Sequence, residues 1–231
     1  MSRITFLDYW RMGRARGWGY PIRYFTQSHL FDLVRGTNTH FWMPPKEYDG
    51  ACPGHGDAVH YVACPTKSIR KALKVITAHA KNTWDQFQFY DLGCGKGKAL
   101  LVYNEYVGTR VKTPAIGIEL VPSLAEVAEN NIHLRHLEKR ATVITGDATK
   151  WRSSCTGRGA IIFLYNPFGR STLEAVLRGT ENLPCYIAYV DPEHSSLLAS
   201  KGWDKIHCEA GKYKNDNIEV WYRNDVCEGQ V

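Results

Sequence analysis

The sequence has no apolar run approaching the ~20 residues that a membrane-spanning helix requires. Its first residues, MSRITFLDYWRMGRARG, lack the long apolar core of a secretory signal, which points to a cytoplasmic chain with no membrane partner. The seven cysteines are odd in number, widely spaced and without a Cys-x-x-Cys pair, so neither a disulfide framework nor a paired-thiol metal motif is expected. No segment repeats, which sets solenoid architectures aside. Acids are scarce at the start: within residues 1–28 only Asp8 opposes Arg3, Arg11, Arg14, Arg16 and Arg23. That segment also carries Phe6, Tyr9, Trp10, Trp18, Tyr20, Tyr24 and Phe25. Interleaved arginines and rings can track a nucleic-acid backbone. They can equally pack as an arm, rings against the domain and arginines outward.

The length of 231 residues suits one sizeable α/β domain behind an extension, and 44% hydrophobic content argues for a packed core. A net charge of +6 permits nucleic-acid or acidic partners and is also ordinary for solubility. The chain is organised around FQFYDLGCGKGKALLVY, residues 87–103. Phe87, Phe89 and Leu92 predict a buried strand, Asp91 to Lys98 a tight turn, and Ala99 to Val102 the start of a helix. Gly93, Gly95 and Gly97 leave the backbone open to a ligand beside unpaired helix-start amides. A dinucleotide fingerprint needs glycine at the sixth position of G-x-G-x-x-G, where Lys98 stands, and the Walker pattern fails too.

Further predicted strands end in chemistry. Ala115 to Leu120 carries Glu119 near its end, an acid able to accept hydrogen bonds from both ribose hydroxyls. Ala141 to Ala148 closes on Asp147 and the small Ala148. Gly159 to Tyr165 opens into Asn166-Pro167-Phe168. An asparagine carbonyl and a backbone carbonyl there can accept hydrogen bonds from an amine and aim its lone pair, while the Phe168 ring can face a cation. A strand over 183–190 ends in Asp191-Pro192-Glu193-His194, and 203–208 with 218–222 predict a terminal hairpin. Helices are predicted within 29–43, over 66–81 with Thr66 or Ser68 as cap, and from a Ser123/Glu126 capping box with Leu134 inside. Cys52, His55, His60 and Cys64 lie in and after a Gly/Pro loop. Their C-x2-H-x4-H-x3-C spacing matches no common zinc pattern, and no metal site is assigned.

DLGCGKG, GIEL, TGDA and YNPFG, in this order and each closing a predicted strand, resemble the motifs of class I S-adenosylmethionine-dependent methyltransferases. HLFDLVRGT and HYVACPTKSIRKAL look like bacterial members of unassigned substrate, and the asparagine–phenylalanine strand edge is similar to that of non-SET protein-lysine methyltransferases. The resemblance implies a doubly wound α/β fold, a mostly parallel seven-stranded sheet with its last strand antiparallel, over roughly residues 66–222. An N-terminal helical extension or lid over 1–65 and a tail over 223–231 would flank it. The resemblance further implies S-adenosylmethionine as cofactor, leaving S-adenosylhomocysteine as product. Asp91, Gly93 and Gly95 would bind its methionine end, Glu119 the ribose, Asp147 and Ala148 the adenine, with Tyr61 and Pro65 contributed by a lid segment. Asn166, Pro167 and Phe168 match the catalytic, substrate-side motif. A single proline followed by phenylalanine departs from the Asn-Pro-Pro-Tyr form and leaves the acceptor open.

The expected activity is therefore methyl transfer to a nitrogen, an amino group of a protein side chain or of a small amine. A nucleic-acid methyltransferase using the arginine–aromatic arm is the alternative substrate class. A non-catalytic cofactor-binding scaffold is the alternative of a different kind. Methylation of oxygen is disfavoured, because His194 is the one candidate general base.

Overall fold

The computed structural model describes residues 6–40, 42–43, 61–213 and 216–224. The extension begins with α1 (Phe6–Arg16) and α2 (Gly19–Tyr24), which runs through a π-turn at Phe25–His29 into α3 (Leu30–Arg35). Gly36 takes φ +67° and ends α3, so the helix expected within 29–43 stops at Arg35. Beyond it β1 (Trp42–Met43) pairs antiparallel with β2 (Tyr61–Val62).

The main domain then alternates strand and helix. Its elements are α4 (Thr66–Ala80), β3 (Phe87–Leu92), α5 (Lys98–Val107), β4 (Ala115–Glu119), α6 (Pro122–Leu134), β5 (Ala141–Thr145), β6 (Gly159–Tyr165), α7 (Arg170–Arg178), β7 (Cys185–Val190), α8 (Ser195–Ser200), β8 (Asp204–Glu209) and β9 (Ile218–Arg223). The strands form one seven-stranded sheet in the order β5-β4-β3-β6-β7-β9-β8. Numbered from its own first strand, that order is 3-2-1-4-5-7-6. Only β9 runs antiparallel to its neighbours, as expected for the last strand, and it closes the expected hairpin with β8.

The central strands are buried along their whole length because helices cover both faces of a parallel sheet. β3, β4 and β7 are buried throughout, whereas the edge strand β5 is buried only at Ala141 and Val143. Alternation along β3 sends Phe87 and Phe89 into one core, with Ile69, Leu73 and Ile76 of α4. Tyr90 and Leu92 enter the other core, with Trp151 and with Leu173, Val176 and Leu177 of α7. Strand order reverses at β3, whose neighbours β4 and β6 lead to opposite edges. The crevice at the C-terminal ends of β3 and β6 is thus the topological switch point where ligands bind in such sheets.

Two helix starts depart from the sequence reading. Thr66 is the first residue of α4, and the carbonyl of Pro65 accepts from the N–H groups of Ser68 and Ile69 at 3.0 and 3.3 Å. α6 begins at Pro122 with Val121 at the cap, so Ser123 already lies inside the helix and the capping box does not form. Main-chain geometry around proline starts both helices without a side-chain cap. Leu134, at the end of α6, is exposed rather than inside.

The extension is tied to the domain by polar contacts. Arg23 pairs with Asp216, Arg35 with Glu105, and the ring of Tyr20 meets that of Tyr213 edge-on at 4.8 Å. The turn after α3 is folded around the buried carboxylate of Asp32. That group accepts from Thr37 Oγ1 (2.7 Å), Thr39 Oγ1 and N–H (both 2.8 Å) and the His40 N–H (2.9 Å), and meets His40 Nδ1 at 2.5 Å. Burial alone would raise its carboxyl, but the hydrogen bonds from His40 and Thr37 outweigh burial and hold it below the ordinary range. A depressed carboxyl gives stability that is complete above the unfolded value and lost as pH falls below it. Asp32→Asn should therefore destabilise the 36–40 turn by about 3 kcal/mol at neutral pH. Amide hydrogen exchange would show faster exchange there, with the difference from wild type shrinking as pH is lowered below ~4.

Candidate functional site

At the end of β3 the chain leaves the sheet through a turn whose amides are tied to the next strand. The N–H groups of Gly93 and Cys94 donate to the Ile118 carbonyl at 2.8 and 3.1 Å. Gly93 and Gly95 take φ +78° and +53°, a region costly for residues with a Cβ. A Cβ on Gly93 would lie 2.7 Å from Pro167 Cβ, so the glycine turn and the end of β6 touch at this point. Two motifs far apart in sequence thus meet.

Asp91, one residue before the end of β3, and Glu119, the last residue of the neighbouring β4, are both buried. Glu119 is built into the turn: Oε2 accepts from the Gly95 N–H at 2.7 Å and Oε1 from the Val121 N–H at 2.9 Å. Burial raises its carboxyl, and the bonds from Val121, Gly95 and Leu120 offset part of that. Asp91 has no such support, since no hydrogen bond from a described residue reaches it. Burial, with the charge of Glu119 beside it, pushes its carboxyl up to about 8.

Asp147 is exposed after β5, where Oδ1 accepts the Thr149 N–H at 2.9 Å and caps a 3₁₀ turn, and Ala148 beside it is buried. Asn166 ends β6 at φ +39° and is 8% exposed. Its Oδ1 is buried without a hydrogen-bond partner among the described residues. Phe168 packs partly against the second core. At the end of β7, Asp191 is also at positive φ, +52°, with its N–H donating to the Asn217 carbonyl at 2.9 Å. Strained residues thus close two adjacent strands on the face where the glycine turn lies.

Tyr61 lies in β2, opposite Met43. Cys64 follows it, buried within electrostatic reach of Lys98 and Asp91, so the chain between β2 and α4 comes to this same end of the sheet. Cys52, His55 and His60 lie outside the described residues. Cys94 is buried and its thiol is pushed well up by burial and by the charges of Asp91 and Glu119, the opposite of a reactive thiolate.

Sequence reasoning missed both lysines of the turn. Lys98 is 3% exposed, with Nζ donating to the Gln27 carbonyl at 2.5 Å and lying 4.8 Å from the centre of the Phe31 ring. Burial pulls its ammonium down to about 8. Lys96 is also buried, and its Nζ donates to Asn38 Oδ1 at 3.2 Å. Asn131 of α6 joins these parts. Its Oδ1 accepts the Asn38 N–H at 2.8 Å, and its Nδ2 donates to the Lys96 carbonyl at 3.0 Å and the Asn38 carbonyl at 3.2 Å. The glycine turn therefore carries the extension on its back. The adjacent lysines in Gly-Lys-Gly-Lys were the one visible signal, and their partners were not.

The arginines of the extension do not all point outward as free charges. Arg11 lies 3.7 Å from Asp8, Arg16 donates to Tyr20 Oη at 2.6 Å, and Arg23 and Arg35 are paired across the domain. Nor do all the rings pack on the domain, for Phe6 is 86% and Trp18 61% exposed.

No family model matches the sequence, and no curated protein does. Solved structures do match in three dimensions. MtNAS, in complex with MTA and tNA, is similar over 68% of this chain at 14% identity and a TM-score of 0.50, and the match spans 60% of the MtNAS chain. An RNA methyltransferase from Salinibacter ruber in complex with S-adenosyl-L-homocysteine covers 70% of this chain and 93% of its own, with 16% identity and a TM-score of 0.48. A SAM-dependent methyltransferase from Aquifex aeolicus covers 68% and 96%, with 13% identity and a TM-score of 0.44. At such identities likeness speaks for the fold alone. The strand order and the antiparallel last strand are those of the class I methyltransferase fold.

A carboxyl raised in the folded state favours the fold below its unfolded value, and that advantage is lost as pH rises toward the folded value. Asp91→Asn should therefore melt higher than wild type at pH 8, by a few kcal/mol at most, with the gap closing as pH falls toward 4. Thermal melts of both proteins across that range test it; a gap that does not change with pH would contradict a buried, raised Asp91.

Proposed function

We propose that the chain is an S-adenosylmethionine-dependent methyltransferase that methylates a nitrogen, an amino group of a protein side chain or of a small amine. The observation that carries this reading is Asn166 Oδ1, an acceptor buried without a donor among the described residues, at the strand end that touches the glycine turn. A buried acceptor left unpaired costs about 1–3 kcal/mol, which an N–H donor of a substrate removes.

The residues present fit the cofactor. Asp91 is an acid buried without a hydrogen bond from any described residue, and an arriving ammonium favours its charged form. Gly93 and Gly95 keep the backbone there free of side chains. The Glu119 carboxylate accepts the amides of Gly95, Val121 and Leu120 and keeps acceptor capacity for a ribose hydroxyl. Asp147 Oδ2 can accept an adenine amino group beside the small Ala148, and Tyr61 belongs to the segment that reaches the methionine end. When bound, S-adenosylmethionine supplies a methyl group already activated on a sulfonium, so a nucleophilic protein side chain is not needed.

The chain's own task is then to hold a neutral amine in line and exclude water. Asn166 Oδ1 and the Pro167 carbonyl accept the amine's N–H groups and leave its lone pair directed at the methyl group. The Phe168 ring faces the positive charge that develops. Arg23 and Arg35 are held by acids of the domain and are not free to track phosphates, whereas Arg14 and Arg16 are exposed with no acid partner among the described residues, so the choice of acceptor rests on Asn166 rather than on the arm.

Methyl-labelled S-adenosylmethionine, incubated with the protein and a lysate lacking it, should label a protease-sensitive or small-amine fraction. Asn166→Ala should lower turnover by ~10²-fold or more while leaving cofactor affinity within a few-fold. Equal loss of turnover and affinity would contradict the role given to Asn166, and label in a nuclease-sensitive fraction would contradict the acceptor class.

A further inference from the structure

The rod formed by α2, the π-turn and α3 is covered on one side and open on the other. Pro21, Ser28, Phe31 and Asp32 are buried on its inner side. Its outer side carries Ile22, Phe25, Leu30, Leu33 and Val34, which are 67%, 46%, 39%, 76% and 70% exposed. α1 adds Phe6 at 86% and Leu7 at 52%. Among the described residues, only Leu134 and Ile144 are exposed large hydrophobics outside the extension. An apolar face this large on an anchored element marks an interaction surface.

We infer that this face pairs with the same face of a second copy of the chain. The open side chains of the rod and of α1 amount to on the order of the ~800 Å² per partner that a standard interface buries. The arrangement is self-complementary. Ile22 and Phe25 stand at one end of the rod and Leu33 and Val34 at the other, so a two-fold axis crossing near Ser28 lays each end against the opposite end of the copy. Charge agrees. Arg23 is paired with Asp216 and Arg35 with Glu105, so the rod's own arginines do not face the copy as free cations. The same pairing neutralises the two arginines of the rod itself and removes their pull toward an anionic membrane or a phosphate backbone. The rod is also held in place, through Lys98 on the Gln27 carbonyl and the Arg23–Asp216 pair, so the face is presented as a fixed surface.

Sedimentation velocity of the full chain across the micromolar range should show a dimer. Phe25→Glu and Leu33→Lys should each give a monomer of unchanged circular dichroism, and mixing the two should restore a dimer, because the antiparallel pairing sets position 25 against position 33 of the copy. Leu134→Glu, outside the face, should remain dimeric. In the wild type, amide exchange over residues 22–34 should slow as concentration rises, a readout that needs no variant. The inference is overturned by a wild type that stays monomeric, including one that binds anionic vesicles as a monomer. It is equally overturned by a dimer that both substitutions leave intact.

Discussion

Two carboxyl groups buried side by side are the constraint on which the site depends. β3 and β4 run parallel, with Asp91 one residue before the end of β3 and Glu119 last in β4, and the charge of Glu119 acts on Asp91 beneath the glycine turn. Buried acids are costly unless hydrogen-bonded. Glu119 meets that requirement with the amides of Gly95 and Val121, and in doing so fixes the turn that a ligand must approach. Asp91 does not meet it among the described residues, and the fold carries the penalty as a carboxyl raised to about 8. The cost is tolerated because β3 is surrounded by two apolar cores. Such a group is stabilised by the arrival of a cation, which links the energetics of the fold to the proposed chemistry.

The same turn supports the extension. Lys96 and Lys98 sit within and just after it, yet both are buried, each giving its ammonium to a residue of the extension. Asn131 completes the connection from α6 with three hydrogen bonds to the turn and to Asn38. The glycine turn, α6 and the extension thus form one polar network. Displacing the extension would break the bonds that two buried lysines make to Asn38 and Gln27, a penalty that keeps it in place. On the other side of the crevice, Asn166 and Asp191 hold positive φ at the ends of β6 and β7. Such strain at adjacent strand ends belongs where backbone direction serves a site.

The sheet was legible in the sequence because strands covered on both faces must be apolar throughout. Gly159–Tyr165 formed where its composition placed it, and the acids after β3 and β4 stood out as polar ends to apolar runs. The asparagine after β6 was legible for the same reason. Its orphaned oxygen was not, since that depends on which donors the fold withholds. Helix starts were misjudged at Thr66 and Ser123, where main-chain geometry around Pro65 and Pro122 replaces the expected side-chain caps. The lysine contacts were invisible because Lys98 and Gln27 are 71 positions apart and nothing local marks them as partners. Nor could the outward apolar face of α2 and α3 be told from a packed one, since an apolar stripe does not say whether it is covered.

The central claim is that Asp91 stays protonated until a cation binds beside it. Calorimetric titration with S-adenosylmethionine at pH 7, in buffers of differing ionisation heat, tests it most directly. A carboxyl near 8 that ionises on binding releases about one proton per site, and the observed heat then varies linearly with the buffer's ionisation heat. Asp91→Asn should bind more weakly and show no such dependence. Binding without proton release, at an affinity indifferent to Asp91→Asn, would contradict the account.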